Sequence, residues 1–117
     1  MSELPANCEP CDDSGSPLAE LSGGQIAAHM EDLPLWTLDL PVIRRRFRLR
    51  DFRAALAWVN RVGMLAEEQA HHPDFHITGW NLVELVLWTH TVEGLSVNDF
   101  VLARKIDALA AKDGIGA

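Results

Sequence analysis

The chain is poor in cysteine, carries no excess of positive charge and has no long apolar run, and each shortage closes off a class of protein. Only Cys8 and Cys11 occur among 117 residues, too few for a disulfide framework. Their CxxC spacing is half of a zinc site, which without a second CxxC or a His pair holds metal only with outside help. No βαβ pattern follows, so the usual setting of a redox motif is missing and the favoured reading is two incidental thiols. No segment approaches the roughly 20 apolar residues that span a bilayer, so no membrane association is expected. The start, MSELPANCEPCDDSGSPLAE, has no basic stretch followed by an apolar one; no secretory leader is read, and a cytoplasmic location is expected. Ten Lys and Arg stand against 17 Asp and Glu, a formal charge of −7, which argues against direct nucleic-acid binding.

What is present is ordinary globular usage, 48% hydrophobic and 23% charged, at a length that suits one domain with one core. Residues 1–20, rich in Pro, Ser, Asp and Glu, read as a flexible tail, and 21–117 as the single domain. Ser22 with Gln25 has the form of a capping box, and Ile26, Met30 and Leu33 recur at helical spacing, predicting a helix over 23–33. Pro34 ends it, and Trp36 is expected to plug the core edge. In VIRRRFRLRDF, Ile43, Phe47 and Leu49 alternate with Arg44, Arg46, Arg48 and Arg50, the period of a half-buried strand. The arginine face is read as solvated or intersubunit rather than as a phosphate grip. Arg45 falls on the apolar side, which implies an edge position or an ion pair.

Asp51 is a suitable N-cap for a long helix whose stripe is Phe52, Ala55, Leu56, Val59, Val62 and Ala66, running to about Ala70 because Pro73 disfavours helix at the residue before it. Phe75 to Thr78 is expected as a hairpin partner with Gly79 in the turn. Leu82, Glu84, Val86, Trp88 and His90 share one face and Val83, Leu85, Leu87 and Thr89 the other, predicting a central strand that ends in His90. Gly94 breaks it, Ser96 caps with Asp99 at the third helical position, and a last helix runs from Val97 to about Ala111.

The histidines carry the chemistry. His29 is read as surface or boundary, and His76 as lacking a partner. In EEQAHHPDF, Glu67 and His71 are four apart on a last helical turn, so the carboxylate is expected to orient that imidazole. The irregular backbone imposed by Pro73 can turn His72 into the same cleft, and His90 joins them if its strand packs beside the helix exit. Three readings stay open: a metal site, polar closure of a helix and strand, and general acid-base catalysis. Adjacent histidines rarely ligate one ion together, and each would want its own outer acceptor. Acid-base work fits the residue types best, because a reaction moving two protons at neutral pH needs one group protonated and another not.

Glu67, three residues, His71-His72-Pro73, six residues, Trp80, nine residues, His90, eight residues and Asp99 together resemble the signature of the pterin-4a-carbinolamine dehydratases. The likeness extends from about Leu21 to Leu109, through FRLRDFRAALAWVNRVGMLAEE and GLSVNDFVLARKID. It implies an α+β fold, an antiparallel four-stranded sheet with three helices packed on one face; alternation alone resolves three strands, the fourth lying around Leu38 or as the Phe75 segment. It implies a hydro-lyase that dehydrates 4a-hydroxytetrahydropterin to a quinonoid dihydropterin with no metal and no cofactor, His71, His72 and His90 being catalytic. Glu67 is then an orienter or pterin contact, Asp99 a helix-start residue positioning His90, Pro73 part of the motif, and Phe75 and Trp80 apolar walls for the ring. The partners implied are the pterin, an aromatic amino acid hydroxylase pathway, and further copies in a homodimer or homotetramer. The other reading of the same resemblance is an interaction protein, a transcriptional dimerisation cofactor or assembly factor. Ala70 stands where many members have Asp or Asn, Asn98 where some have Arg, and the gap before Trp80 predicts a wider turn or bulge.

Overall fold

In the computed structural model, which describes residues 4–8 and 19–115, local sequence signals set most element boundaries. Ser22 caps α1 (Gly23–Met30) in a closed box: its hydroxyl accepts the Gln25 N–H, and Gln25 Oε1 accepts the Ser22 N–H. Each bond satisfies a helix-end donor with no partner inside the helix. The helix is shorter than its periodicity predicts, the chain passing through turns from Glu31 to Leu33. Asp51 caps α2 (Phe52–Gln69) by accepting the Ala54 N–H at 2.8 Å. Ser96 and Asp99 form the capping box of α3 (Val97–Lys112).

The strands are β1 (Thr37–Asp39), β2 (Val42–Arg48), β3 (Asp74–Thr78) and β4 (Leu82–Leu87), ordered β1-β2-β4-β3 with every neighbour antiparallel. Both candidate places for the fourth strand are therefore strands. Ile43 and Phe47 of β2 and Val83, Leu85 and Leu87 of β4 meet Ile26 of α1, Trp58 and Val62 of α2, and Phe100 and Ile106 of α3 in one core. Each such side chain stabilises the fold by about 1.5–3 kcal/mol. The expected α+β fold, one sheet with its helices on one face, follows.

On the open face Arg44 pairs with Asp39 and Glu84, and Arg46 with Glu84. Arg45 points inward, 4% exposed, paired with Asp107 and lying 4.1 Å over the Phe47 ring. Trp36 is buried and donates its indole N–H to the same Asp107 carboxylate at 2.8 Å. The expected ion pair and core plug are both present, sharing one acceptor.

β4 does not reach His90. It ends at Leu87, where both neighbours run out: the β3 ladder starts at Asp74 opposite Val86, with Pro73 before it, and the β2 ladder starts at Ile43 opposite Leu87. Thr89 then pairs with Gly94, and His90–Val92 form a single 3-10 turn between them. At the other end of the hairpin a loop of residues 79–81 joins the Thr78↔Leu82 pair, with φ of 57° at Gly79 and 65° at Trp80. This is the wider turn the spacing predicts, and its left-handed first position suits glycine.

His29 is not at the surface. It is 7% exposed and stacked on Phe100 at 4.9 Å. Burial holds its imidazole below the ordinary 6.5; Asp32 partly offsets this, and Arg104 adds to the lowering. The unfolded chain therefore takes up a proton that the folded chain resists, so the contribution of His29 is complete above the unfolded value and is lost as pH falls toward the folded one. Urea midpoints taken at about pH 7 and about pH 5 are expected to drop more for the wild type than for His29→Leu; equal drops would contradict the assignment.

Of the predicted tail, residues 9–18, including Cys11, lie outside the described residues. Leu4 and Cys8 pack against the core. Among the described residues no helix is long and apolar enough to cross a membrane.

Candidate active site

The exit of α2 builds the first half of the site. Ala70 adopts the left-handed conformation (φ 54°, ψ 35°), and the His71 N–H closes back onto Ala66 O at 3.2 Å, the hydrogen-bonded ending typical of helices that stop at a left-handed residue. The turn redirects the two histidines. His71 is buried, its Nε2 at 2.8 Å from Asp99 Oδ1, whereas exposed His72 places Nε2 at 2.7 Å from Glu67 Oε1. The Glu67–His71 pair expected from helical spacing is thus replaced by Glu67–His72. A four-residue offset brings side chains together only while the helix continues, and here it stops at Gln69.

A left-handed alanine costs about 1 kcal/mol that glycine avoids. Ala70→Gly is accordingly expected to raise unfolding stability by about 0.5–1 kcal/mol, read from the urea midpoint. A lower midpoint would contradict the strain.

Asp99, fully buried, organises the second half. Its Oδ2 accepts the Ser96 N–H at 2.9 Å and the Thr89 hydroxyl at 2.7 Å, and its Oδ1 meets His71. Thr89 has one proton and gives it to Asp99, so in the 2.7 Å contact between the two hydroxyls Ser96 donates to Thr89. The same acceptor count assigns the His71 proton to Nε2, which leaves Nδ1 of the neutral ring as a lone pair. The resemblance implies that Asp99 positions His90; the carboxylate instead touches His71, and among the described residues it is linked to His90 through Thr89, the residue before it. Thr89 anchors the loop, its N–H bonded to Gly94 O at 2.8 Å.

Between the two halves lies a cleft of about 290 Å³, lined by His71, His72, Pro73 and Asp74 from the helix exit and Trp88, Thr89, His90 and Thr91 from the end of β4. The three predicted histidines and Pro73 share it. Phe75 packs against the core instead. Trp80, 60% exposed, sits at the far tip of the β3–β4 hairpin, about 17 Å from the Asp74 end at the rise of an extended strand. The aromatic wall is Trp88, whose ring centroid lies 4.1 Å from that of His90. The alternation that put Trp88 on the face of His90 was the signal for it. Among the described residues no three His, Cys, Asp or Glu side chains form a metal-binding group. A cleft of about 390 Å³, lined by Arg48, Trp58 and Arg61 among others, contains no histidine.

A family model described as pterin 4 alpha carbinolamine dehydratase matches residues 19–109. A protein of Rubrobacter xylanophilus, named provisionally as a pterin-4-alpha-carbinolamine dehydratase, is 46% identical over 111 residues, covering 93% of this chain and 100% of the relative. The mitochondrial pterin-4-alpha-carbinolamine dehydratase 2 of Arabidopsis thaliana is 44% identical over 71 residues, covering 61% of this chain and 38% of that protein. Among solved structures, a protein of Brucella melitensis described as a transcriptional coactivator/pterin dehydratase superposes with a TM-score of 0.70 at 29% identity, covering 78% of this chain and 98% of the other.

Proposed function

The chain belongs to the pterin 4 alpha carbinolamine dehydratase family, and from that premise we propose that it converts 4a-hydroxytetrahydropterin to quinonoid dihydropterin and water by proton transfer through His71, His72 and His90. The supporting observation is that these imidazoles line one cleft beside an indole face. In the reaction the C4a–O bond breaks, a proton from an imidazolium turns the departing hydroxide into water, and loss of the N5 proton supplies the electron pair of the new C4a=N5 bond. No electrons pass to an outside carrier, so the chemistry calls for no cofactor.

His71 is the proton acceptor in this proposal: its lone pair is on Nδ1, and Asp99 at Nε2 stabilises the positive ring as it forms. His90 is the donor, since an imidazolium beside Trp88 gains cation–π attraction. His72, held by exposed Glu67 at the rim, contacts the substrate and serves the opposite C4a epimer. In this proposal the product is the form from which tetrahydropterin is regenerated, and the substrate is what an aromatic amino acid hydroxylase pathway would supply.

Purified protein is expected to accelerate the loss of 4a-hydroxytetrahydropterin absorbance. Trp88→Ala is expected to raise KM about 10-fold, the worth of one stacking contact, and Trp80→Ala to change it less than about 2-fold. Wild-type protein no faster than a buffer blank would refute the proposal.

A second reading, an interaction protein, is favoured by the coactivator half of the Brucella description and by Phe52, Leu56 and Met64, large apolar side chains left exposed on α2. It separates from catalysis in His90→Ala: inactive protein that still captures its partner supports it, and capture lost with activity removes it.

A further inference from the structure

We infer that Gln69 and the N-terminal segment 4–8 are a positioning device for His71, strapping together the two helix ends that carry the His71–Asp99 pair. The kinetic half of this inference rests on the dehydratase reading.

Gln69 is the last residue of α2 and, unusually for an amide, only 8% exposed. A buried amide needs partners on both its oxygen and its nitrogen. Both come from the chain's beginning: the Cys8 main-chain N–H donates to Gln69 Oε1 at 2.8 Å, and Gln69 Nε2 donates to Asn7 Oδ1 at 3.1 Å. On its other side the Cys8 thiol donates to the main-chain oxygen of Asn98 at 3.5 Å. Leu4 and Cys8 anchor the segment on the core. One short segment thus touches the end of α2 two residues before His71 and the start of α3 one residue before Asp99. The strap runs from α2 to α3 as the His71–Asp99 bond does, and limits how far those ends can separate. It lines no part of the histidine cleft, so its effect passes through His71. A misplacement of about 1 Å in a reacting group costs up to about 10²-fold in rate, so a strap outside the cleft can still matter to turnover.

The test compares Gln69→Ala, which removes both side-chain bonds, with Cys8→Pro, which removes the main-chain donor and the thiol donor together and leaves both helices' own residues intact. Each is expected to lower kcat about 5- to 10-fold with KM within about 2-fold of wild type, while Cys8→Ser, which keeps both donors, restores at least half of kcat. In parallel, the His71 Nε2 proton, identified in proton NMR by its absence in His71→Gln, is expected to exchange with solvent faster in Cys8→Pro than in the wild type. Both variants matching the wild type in kcat and in exchange would overturn the inference. If Gln69→Ala fails to fold, Cys8→Pro decides alone. A wild type that does not dehydrate the pterin, yet shows the faster exchange in Cys8→Pro, would remove the dehydratase reading and leave the strap standing.

Discussion

Replacing His71 and His90 together by alanine is expected to lower kcat by about 10⁴, since each positioned proton transfer typically contributes about 10² to 10⁴. The two single variants separate the roles. The His90 side chain is exposed and rests against the Trp88 ring, so His90→Ala is expected to shift stability by less than about 0.5 kcal/mol while costing at least about 10² in kcat. His71→Ala is expected to cost a similar factor and also about 1–3 kcal/mol of stability, because it strips one partner from the buried Asp99 carboxylate. Because the two histidines act on one event, singles that each cost about 10³ are expected to leave the double near 10⁴, below their product. Stopped-flow absorbance for kcat and urea unfolding for stability check the pair; a double variant as active as the wild type would end the catalytic assignment.

The most damaging single change is expected at Asp99. This carboxylate takes hydrogen bonds from the Ser96 N–H and the Thr89 hydroxyl and holds His71, so Asp99→Ala removes a helix cap and leaves buried donors unanswered together. A loss of about 3–5 kcal/mol is expected, at the upper end for point substitutions. Asp99→Asn distinguishes chemistry from folding. If the amide oxygen keeps the Ser96 and Thr89 bonds, the amide NH₂ faces His71 Nε2, and that nitrogen must become the acceptor. The ring is then locked with its proton on Nδ1, the wrong tautomer to accept a proton from N5. Asp99→Asn is therefore expected to keep most of the stability that Asp99→Ala loses, yet to lower kcat about 10³-fold. An Asn variant with wild-type kcat would show that the tautomer does not matter.

Periodicity and caps make most of the fold legible in the sequence. Ser22, Asp51 and Ser96 mark helix starts because their side chains bond backbone donors a few residues on, an interaction local in sequence. Strand alternation placed Arg45 on the inner face, and its partner Asp107 lies 62 residues away, which local reasoning cannot reach. The misreadings cluster where the backbone leaves regular geometry. Helical spacing matches Glu67 to His71 only if the helix continues past the point where Ala70 turns left-handed. His90 was placed on a strand that has no neighbour left to pair with. Trp80 came with the family signature, but the hairpin carries it away from the histidines. The contact of Asp99 with His71 is hidden as well: the resemblance points the carboxylate at His90, and the capping box explains an aspartate there without reference to His71. The burial of His29 is not legible locally, because nothing in its sequence neighbours announces the Phe100 ring that covers it.

The most direct measurement is a crystal structure with a dihydropterin analogue bound. The ring is expected in the histidine cleft against Trp88, with its C4a and N5 edge within hydrogen-bond reach of both His71 and His90. A ring seated in the cleft between Arg48 and Arg61, or one that leaves His90 beyond such reach, would contradict the convergence of the imidazoles on a single reaction site.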